Sequence, residues 1–262
     1  MNSKGILHFH KYQGTGNDFI LIDNRSMHFA KSNTDFIKNL CDRRFGIGAD
    51  GLLLLENDES SDFRMVYFNS DGNESSMCGN GGRCIVAFAH ELSIIGETAK
   101  FNAIDGLHEA EIIGEQVTLK MIDVDEIKHI RNHSFVNTGS PHHIQLVDNL
   151  DRFSVKKEGA RIRYGLYGEK GSNINFVEQE SDTVFRVRTY ERGVEDETLS
   201  CGTGVTAVAL VMYDMKNTEA NTLNIRTQGG DLKVRFTKSG SKFVDVSLIG
   251  PAVKVFEGQW QV

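Results

Sequence analysis

The feature of this sequence that most limits its fold is a repeat of two motifs at a constant spacing. The first motif is Thr-Gly followed by a polar loop and an apolar run, and it begins at Thr15 and again at Thr138. The second is a cysteine followed by glycines and a longer apolar run, and it begins at Cys78 and again at Cys201. In both copies the threonine precedes the cysteine by 63 positions. Agreement over so long a distance predicts two structurally equivalent halves rather than a short solenoid repeat.

The repeat divides the 262 residues into two halves of ordinary domain size. We predict an N-terminal domain of residues 1–124 and a C-terminal domain of residues 125–251. The tail contains an apolar strand pattern at 252–256, which is one strand too many for the second domain. We therefore predict that the segment 252–262 returns to the first domain and pairs with it.

Each repeated cysteine precedes an apolar run that has no polar face. These runs, Ile85–Ala89 and Val205–Met212, predict two buried helices. Ser75 and Ser76 are typical N-cap residues ahead of the first helix, and Gly96 is its expected C-cap. A cysteine at a helix start lies beside outward-pointing N–H groups and the positive end of the helix dipole, which lowers the pKa of a thiol. The same N–H groups suit a bound carboxylate.

Two other segments give weaker signals. Asn33 can cap a helix that runs through Arg44 and ends at Gly46. Residues 152–170 have poor periodicity and are expected to hold a short helix. Alternating and apolar runs predict strands through most of the remaining chain.

Composition and charge argue against several classes of function. The net charge of −7 disfavours nucleic acid or an anionic membrane as the main partner. No apolar run approaches the roughly 20 residues of a membrane span, and the first eight residues lack the apolar core of a signal peptide. Four cysteines without a secretory signal indicate reduced thiols and a cytoplasmic location. Of these, Cys41 and Cys84 lie in apolar surroundings and are expected to be core residues.

The two repeated cysteines have three chemical interpretations. The first interpretation is a redox switch, which is retained although no CxxC pair is present. A metal site is disfavoured, because Cys78 and Cys84 are six residues apart and no HxxxH or CxxC accompanies them. The third interpretation is an acid/base pair, since related halves often meet across a pseudo-two-fold axis, which would aim both cysteines at one cleft. Inverting a carbon needs a base on one side and an acid on the other, so this pattern favours an isomerase with one resting thiolate and one resting thiol.

Charge must also be stabilised when an α-proton leaves an amino acid. Backbone N–H groups at the two helix starts, near Gly79, Asn80, Gly202 and Thr203, are placed to receive a carboxylate. The alternative is that these glycines only allow close helix packing.

Several polar residues lie near the repeated motifs. His142 follows Pro141 in the second Thr-Gly loop, and this position favours support of catalysis over a purely structural role. Glu191 and Arg192 form either a surface ion pair or a grip on a zwitterionic head group, because arginine binds carboxylate in a fork. Three asparagines at strand ends are turn formers if they are taken singly, and binding residues if they are taken with the motifs: Asn17, Asn69 and Asn173.

Taken together, these motifs resemble the diaminopimelate epimerase family, in order and over nearly the whole chain. The segments that carry the resemblance are Gly14–Phe19, Phe68–Gly72, Met77–Cys84, Gly139–His142, Tyr190–Gly193 and Ser200–Gly204. The resemblance implies an α/β (α+β) fold of two pseudo-symmetric domains, each a curved, mainly antiparallel sheet around a central buried helix. It also implies a cofactor-independent, two-base epimerase that interconverts LL- and meso-2,6-diaminopimelate in lysine and peptidoglycan precursor synthesis.

The resemblance also implies roles for individual residues. It makes Cys78 and Cys201 the two bases, assisted by His142 and Glu191. The residues implied to bind the reacting carboxylate are Gly79, Asn80, Gly202 and Thr203. Those implied to hold the substrate, mostly at its distal amino-acid end, are Asn17, Asn69, Asn173, Glu191 and Arg192. No metal or cofactor is expected, and the expected partner is the small amino-acid substrate, with a homodimer left open.

Three departures from the family pattern affect the substrate contacts. Ser140 stands where the family often has Asn, and Gly51 stands where some members have Gln. The segment 193–200 before the second cysteine is one residue longer than the common version. Two alternatives remain beside the epimerase. One is a proline-racemase-like or other isomerase on the same fold, and the other is a thiol redox sensor or ligand-binding module.

Overall fold

The computed structural model describes residues 5–75 and 77–262. The chain falls into two compact units, of which the first runs to Leu119 and includes Pro251–Val262, and the second is Lys120–Gly250. The expected capping role of Ser76 lies outside the described residues, as do the first four residues of the segment tested for a signal peptide.

Unit 1 is built from nine strands and two helices among the described residues. The elements are β1 Ile6–Gly14, β2 Asn17–Asp23, α1 Thr34–Cys41, β3 Gly51–Glu56, β4 Phe63–Asn69, β5 Glu74–Ser75, α2 Gly79–Glu91, β6 Thr98–Ala103, β7 Gly106–Ile113 and β8 Gln116–Lys120, together with the tail strand Val253–Gln261, which is β18 in chain order.

The strands of unit 1 form one sheet in the order β18-β1-β2-β3-β4-β6-β7-β8. The β2–β3 and β4–β6 pairs are parallel and the others are antiparallel, while β5 adds a short pairing to β4. Strand β3 is buried along its whole length because each face of the sheet carries a helix. Leu52 and Leu54 pack with α1 on one face, and Leu53 lies beside Gly81 of α2 on the other.

Unit 2 repeats this plan. Its elements are β9 Ile127–Ile130, β10 His133–Asn137, β11 Pro141–Leu146, a 3-10 turn at Leu150–Arg152, α3 Val155–Tyr167, β12 Asn173–Gln179, β13 Val184–Glu191, β14 Asp196–Thr198, α4 Gly202–Asp214, β15 Thr222–Thr227, β16 Gly230–Ser239 and β17 Lys242–Pro251.

The sheet of unit 2 has the order β9-β10-β11-β12-β13-β15-β16-β17. Its β11–β12 and β13–β15 pairs are parallel, and short β14 pairs with β13. The sequence of parallel and antiparallel pairings is therefore the same in both units, with the tail strand of unit 1 in the place that β9 takes in unit 2. This agreement confirms the duplicated, mainly antiparallel α+β architecture.

The two helices that follow the cysteines are the central helices of their units. Helix α2 packs against β1, β2, β3 and β7, and α4 packs against strands β10–β13, β15 and β16. From Gly79 to Ala89 every residue of α2 is buried, and in α4 so is every residue from Gly204 to Met212. Burial on all sides explains why neither run has a polar face. None of the described helices is long and apolar enough to cross a bilayer.

Three sequence-based boundaries are wrong. Helix α2 ends at Glu91 rather than near Gly96, because Ser93 takes the left-handed conformation that Gly96 was expected to supply. Its N-cap is Cys78 itself, since Ser75 belongs to β5. Helix α1 ends at Cys41, where Asp42 turns extended, and not at Arg44.

The segment of poor periodicity after residue 152 holds a helix of 13 residues, α3, rather than a short one. Its buried face packs on Ile174, Phe176 and Tyr190 of β12 and β13. The apolar stripe is interrupted by Gly159, whose position lies directly against Tyr190 and leaves no room for a side chain. Because packing requires glycine at a position on the buried face, the apolar residues of α3 do not show a clear helical periodicity in the sequence.

Candidate active site

Each repeated cysteine is the N-cap residue of a central helix. Cys78 has extended backbone angles and is half-buried, and Cys201 is similar but only 8% exposed. The first helical hydrogen bonds run from Gly82 N to Cys78 O at 2.7 Å and from Val205 N to Cys201 O at 2.9 Å. Helix geometry then points the preceding amide N–H groups out of the N-terminal end, beside each sulfur. Both helix starts can therefore receive an anion next to a thiol.

In unit 1, the Cys78 thiol lies beside the side-chain amide of Asn17. The Cys78 Sγ to Asn17 Oδ1 distance is 3.7 Å. Asn17 Nδ2 donates to Asp50 Oδ2 at 2.7 Å, which fixes the amide with its oxygen toward the sulfur. Asn80 Nδ2 donates to the same Asn17 oxygen at 3.3 Å. Because a carbonyl oxygen only accepts, this geometry suits a protonated Cys78.

A charged cluster holds Asp50 in place. Arg43 binds Asp18 and Asp50, each at 2.6 Å, and Lys11 Nζ lies 2.7 Å from Asp18. Burial alone would raise the pKa of Asp18, but hydrogen bonds from Arg43 and Lys11 outweigh it and hold that pKa well below its usual range. No sequence motif singled out Lys11, Asp18, Arg43 or Asp50, so this cluster was not predicted. An acidic residue directly before a buried strand was the available signal.

Arg83 is a buried cation one turn into α2. Its guanidinium is fully buried and donates to Gly79 O, Thr15 Oγ1, Asn80 Oδ1 and Pro251 O at 3.0–3.3 Å. It thereby joins the first Thr-Gly loop, the start of α2 and the start of the tail. Burial lowers the pKa of Arg83. A buried positive charge behind this helix start adds to its attraction for an anion.

In unit 2, Cys201 is linked to His142 through a threonine. The Cys201 Sγ to Thr203 Oγ1 distance is 3.5 Å, and His142 Nε2 lies 2.9 Å from the same hydroxyl oxygen. Thr138 Oγ1 donates to Thr203 O at 2.8 Å and fixes the helix start. Burial, with a smaller effect of the Arg192 charge, lowers the pKa of His142 to about 3. His142 is therefore neutral at physiological pH and does not act as a cation beside Cys201.

The Glu-Arg pair lies at the end of β13, with Glu191 as its last residue and Arg192 as the first residue after it. Arg192 N–H donates to Asn173 Oδ1 at 2.8 Å, while its side chain is exposed and donates to Lys170 O at 3.0 Å. Glu191 Oε2 accepts from Thr198 Oγ1 at 2.9 Å. The lengthened segment before Cys201 forms a tight hairpin, with β14 paired to β13. Unit 2 thus brings Asn173, His142 and Thr203 to the start of α4, and it fixes the backbone from which Arg192 extends.

The remaining predicted binding residue of unit 1 is Asn69, the last residue of β4. It is half-buried, and the described contacts include no hydrogen bond from its side chain. Gly51 lies opposite Asn69 in the sheet. A Cβ at Gly51 would come within 2.6 Å of Phe68 O and of the Tyr67 ring, so a larger residue does not fit there without a shift.

The four cysteines differ in environment. Burial raises the pKa of Cys41 and of Cys84 to about 12, which makes both poor bases at neutral pH. None of the four forms a disulfide in the described structure. The prediction that Cys41 and Cys84 are core residues is confirmed by their burial.

One group of potential metal ligands comes together among the described residues, and it contains no cysteine. It consists of His10, Glu91 and Glu257. Lys254 Nζ lies between the two carboxylates, 2.6 Å from Glu91 and 2.5 Å from Glu257. A lysine already neutralises these carboxylates, so the cluster is an ion-pair network of unit 1.

Comparisons with known proteins agree with these observations. The family model described as diaminopimelate epimerase matches residues 9–126 and 134–255. A diaminopimelate epimerase of Flavobacterium psychrophilum is 61% identical over 95% of this chain and 98% of its own length. One of Chlorobaculum tepidum is 43% identical over 94% of this chain and 98% of its own length.

Solved structures share the fold at low identity. A phenazine biosynthesis protein of the PhzF family from Bacillus anthracis has a TM-score of 0.81 at 16% identity, covering 98% of this chain and 100% of that one. A hydroxyproline epimerase from Agrobacterium vitis, solved with bound trans-4-hydroxy-L-proline, has a TM-score of 0.72 at 15% identity, covering 100% of this chain and 94% of that one. These likenesses show the fold alone.

Proposed function

This chain belongs to the diaminopimelate epimerase family, and from that membership we propose that Cys78 and Cys201 are its two proton-transferring groups. The enzyme is an isomerase whose small amino-acid substrate is diaminopimelate, and the reaction interconverts the LL and meso forms. The observation that best supports the proposal is that both cysteines are N-cap residues of central helices, each with its own polar neighbour.

The proposed reaction balances with these two groups alone. A thiolate removes the α-proton, and the electron pair left on carbon delocalises into the substrate carboxylate. The other thiol then donates its hydrogen to the opposite face of that carbon. The first cysteine ends as a thiol and the second as a thiolate, so the two groups exchange protonation states in each turnover. A single pair therefore serves both directions of the reaction.

We propose that the carboxylate is bound at the helix starts, by the N–H groups of Gly79, Asn80, Gly202 and Thr203. Negative charge grows on the carboxylate as the proton leaves, and pre-aimed donors of this kind are worth about 3–4 kcal/mol each. The buried charge of Arg83 favours the same anion from within unit 1.

The same proposal assigns the distal amino-acid end of the substrate to polar residues around the helix starts. These are Asn17, Asn69, Asn173, Glu191 and Arg192. Arg192 is the strongest candidate for the distal carboxylate, because its guanidinium is exposed while its backbone is held by Asn173. His142 and Glu191 support the cysteines, His142 through Thr203. The net charge of −7 and the family membership support a cytoplasmic enzyme without nucleic-acid or membrane partners, and a homodimer is the assembly to test first.

The test is proton exchange with solvent. Purified, reduced protein without added pyridoxal phosphate is incubated with LL-diaminopimelate in deuterated water. We expect meso product that carries deuterium at the inverted α-carbon, measured by NMR and mass spectrometry. Cys78→Ala and Cys201→Ala should each remove turnover while keeping the circular dichroism of the parent. Cys41→Ala is the matched control and should keep turnover, because burial has already removed its thiol from acid/base chemistry.

Different failures of this test have different meanings. Exchange that requires pyridoxal phosphate would overturn the two-base proposal. Turnover of proline but not diaminopimelate would favour a proline-racemase-like activity. No exchange with any amino acid would leave the thiol sensor as the better interpretation.

A further inference from the structure

The buried side chain of Asn175 lies directly behind His142. Strand alternation in β12 places Asn175 on the same face as Asn173, toward the start of α4. Asn175 Nδ2 lies 3.1 Å from His142 Nδ1 and 3.0 Å from His143 O, and the residue has no exposed surface. A Cβ at Gly204 would come within 2.5 Å of Asn175 Oδ1, so the amide packs closely against the first turn of α4.

The orientation of this amide is fixed by its other two partners. The carbonyl oxygen of His143 accepts hydrogen bonds and cannot donate, so the nitrogen of the amide must face it. Thr189 Oγ1 then donates to Asn175 Oδ1 at 2.9 Å. His142 Nδ1 therefore faces an N–H donor and must itself be an acceptor.

A neutral imidazole carries one hydrogen, and here that hydrogen belongs on Nε2. His142 Nε2 then donates to Thr203 Oγ1 at 2.9 Å. Its other neighbour is Asn173 Nδ2 at 3.5 Å, held in that orientation by the Arg192 N–H. The opposite tautomer would place a hydrogen against Asn175 Nδ2 at the shorter distance of 3.1 Å. Asn173 Nδ2 is also a donor, but it lies farther from its ring nitrogen than Asn175 Nδ2 does, so the shorter contact at Nδ1 decides the tautomer.

This tautomer sets the direction of the next hydrogen bond. The Thr203 hydroxyl accepts from His142, so its single hydrogen is available for another group. Among the described contacts of that hydroxyl, the remaining partner is Cys201 Sγ at 3.5 Å. A hydrogen donated to sulfur stabilises the thiolate more than the thiol. The tautomer of a histidine that never touches Cys201 thus influences the basicity of that cysteine.

We propose that Asn175 is a positioning residue, which fixes the Nε2–H tautomer of His142 and so directs the Thr203 hydroxyl hydrogen at Cys201. The inference rests on the proposed function, because it assumes that Cys201 acts as a base. It goes beyond that function by assigning a role to a side chain that acts through two other residues.

The first arm of the test reads the tautomer directly in the unaltered protein. Histidine labelled with 15N is observed by long-range proton–nitrogen correlation, and the His142 signals are identified by their loss in His142→Gln. We expect a protonated Nε2 and a bare Nδ1. A protonated Nδ1 would overturn the proposal whatever the enzyme's activity. The result is also informative if the epimerase assay fails, so the two failures can be told apart.

The second arm measures the reactivity of Cys201. In a Cys78→Ala background, iodoacetamide modification of Cys201 is followed at pH 7 by mass spectrometry, with or without Asn175→Leu and Thr203→Val. Each change should slow modification about tenfold, the effect expected for loss of one hydrogen bond to a charged group. The double change should slow it no more than Thr203→Val alone, because both act through one hydroxyl.

Thr189→Val is the matched control, since it removes the partner of Asn175 Oδ1 while His143 O still holds the amide nitrogen toward His142. This control should change the free energy of unfolding but not the rate at which iodoacetamide modifies Cys201. In the otherwise unaltered enzyme, Asn175→Leu should lower kcat about tenfold with little change in KM, again the loss of one such hydrogen bond. Additive effects in the double change, or a fall in the control, would show a purely structural role and overturn the proposal.

Discussion

At the scale of single residues, the two proposed bases have neighbours that favour different positions of the proton. Asn17 presents a carbonyl oxygen to Cys78, and Asp50 fixes it there. Thr203 presents a hydroxyl to Cys201, and His142 lies behind that hydroxyl. Although the two units share one fold, the surroundings of Cys78 and Cys201 differ. This difference suits a reaction that needs one thiol and one thiolate at its start.

Buried neutral histidines give unit 2 a predictable response to acid. Burial lowers the pKa of His142 to about 3 and of His143 to about 4. An unfolded histidine takes up its proton near pH 6.5, whereas these two remain neutral in the folded protein until much lower pH. Stability should therefore be full above about pH 6.5 and fall as the pH drops toward 4, by at most about 1.4 kcal/mol per pH unit for each histidine.

This pH dependence can be measured by urea unfolding at pH 7, 6 and 5. His143→Gln, which lies outside the proposed machinery, should make the fall between pH 7 and 5 less steep. An equal fall in the variant and the parent would contradict the assignment of the effect to this histidine.

Sequence motifs pointed to the proposed reactive residues more directly than to the residues that hold them in place. Cys78, His142 and Asn173 stand in or beside recognisable motifs, and the structure brings Asn17 to Cys78 and brings His142 and Asn173 to the start of α4. Asn175 is only two positions from Asn173, and strand alternation was a usable signal for it. Its partner could not be read from sequence, because the direction of a hydrogen bond depends on atoms from β11, β12 and β13 together.

At the scale of elements, the apolar runs predicted the central helices well, while other boundaries depended on local geometry. The burial of α2 and α4 on all sides follows directly from runs without a polar face. The end of α2 could not be predicted in the same way, because Ser93 takes a left-handed backbone conformation that is usually expected of glycine. Helix α3 was underestimated for a related reason, since Gly159 is required by packing and weakens the helical pattern.

The two glycines within α3 should respond to alanine in opposite ways. A Cβ at Gly159 would lie 2.4 Å from Tyr190 Cβ, whereas nothing lies within 4 Å of a Cβ at Gly165. We expect Gly159→Ala to lower the free energy of unfolding by about 1–3 kcal/mol through overpacking. Gly165→Ala should raise it by about 0.5–1 kcal/mol, because alanine restricts the unfolded chain and favours a helix. Chemical unfolding of the two variants measures both effects, and shifts of the same sign would contradict the packing argument.

At the scale of the whole molecule, unit 1 is assembled from two distant parts of the chain. Strand β18 pairs with β1 over eight residue pairs, from Ile6–Gln261 to Gln13–Val253. Trp260 packs against the core that β1 shares with α1. The repeat suggested that the chain had one strand too many after its second half. That strand is β18, which occupies in the sheet of unit 1 the position that β9 occupies in the sheet of unit 2.

Removing the tail should therefore affect one unit much more than the other. In a variant that ends at Pro251, the amides of β1 lose their outer partners and should exchange with solvent faster by hydrogen-exchange mass spectrometry. The amides of β15 and β16 in unit 2 should keep their protection. A variant that lacks only Gln261 and Val262 is the control and should resemble the parent. Equal loss of protection in both units would show that the tail stabilises the molecule in some other way.

The separation of β1 from β18 along the chain also sets an order of events during translation. A ribosome delivers every residue of unit 2 before it delivers β18, so the second unit is complete in the nascent chain while the first still lacks a strand. Until then the outer edge of β1 offers unpaired backbone groups, the kind of edge that can pair with a neighbouring chain. The half of the protein whose synthesis begins first is thus the half whose last strand is made last.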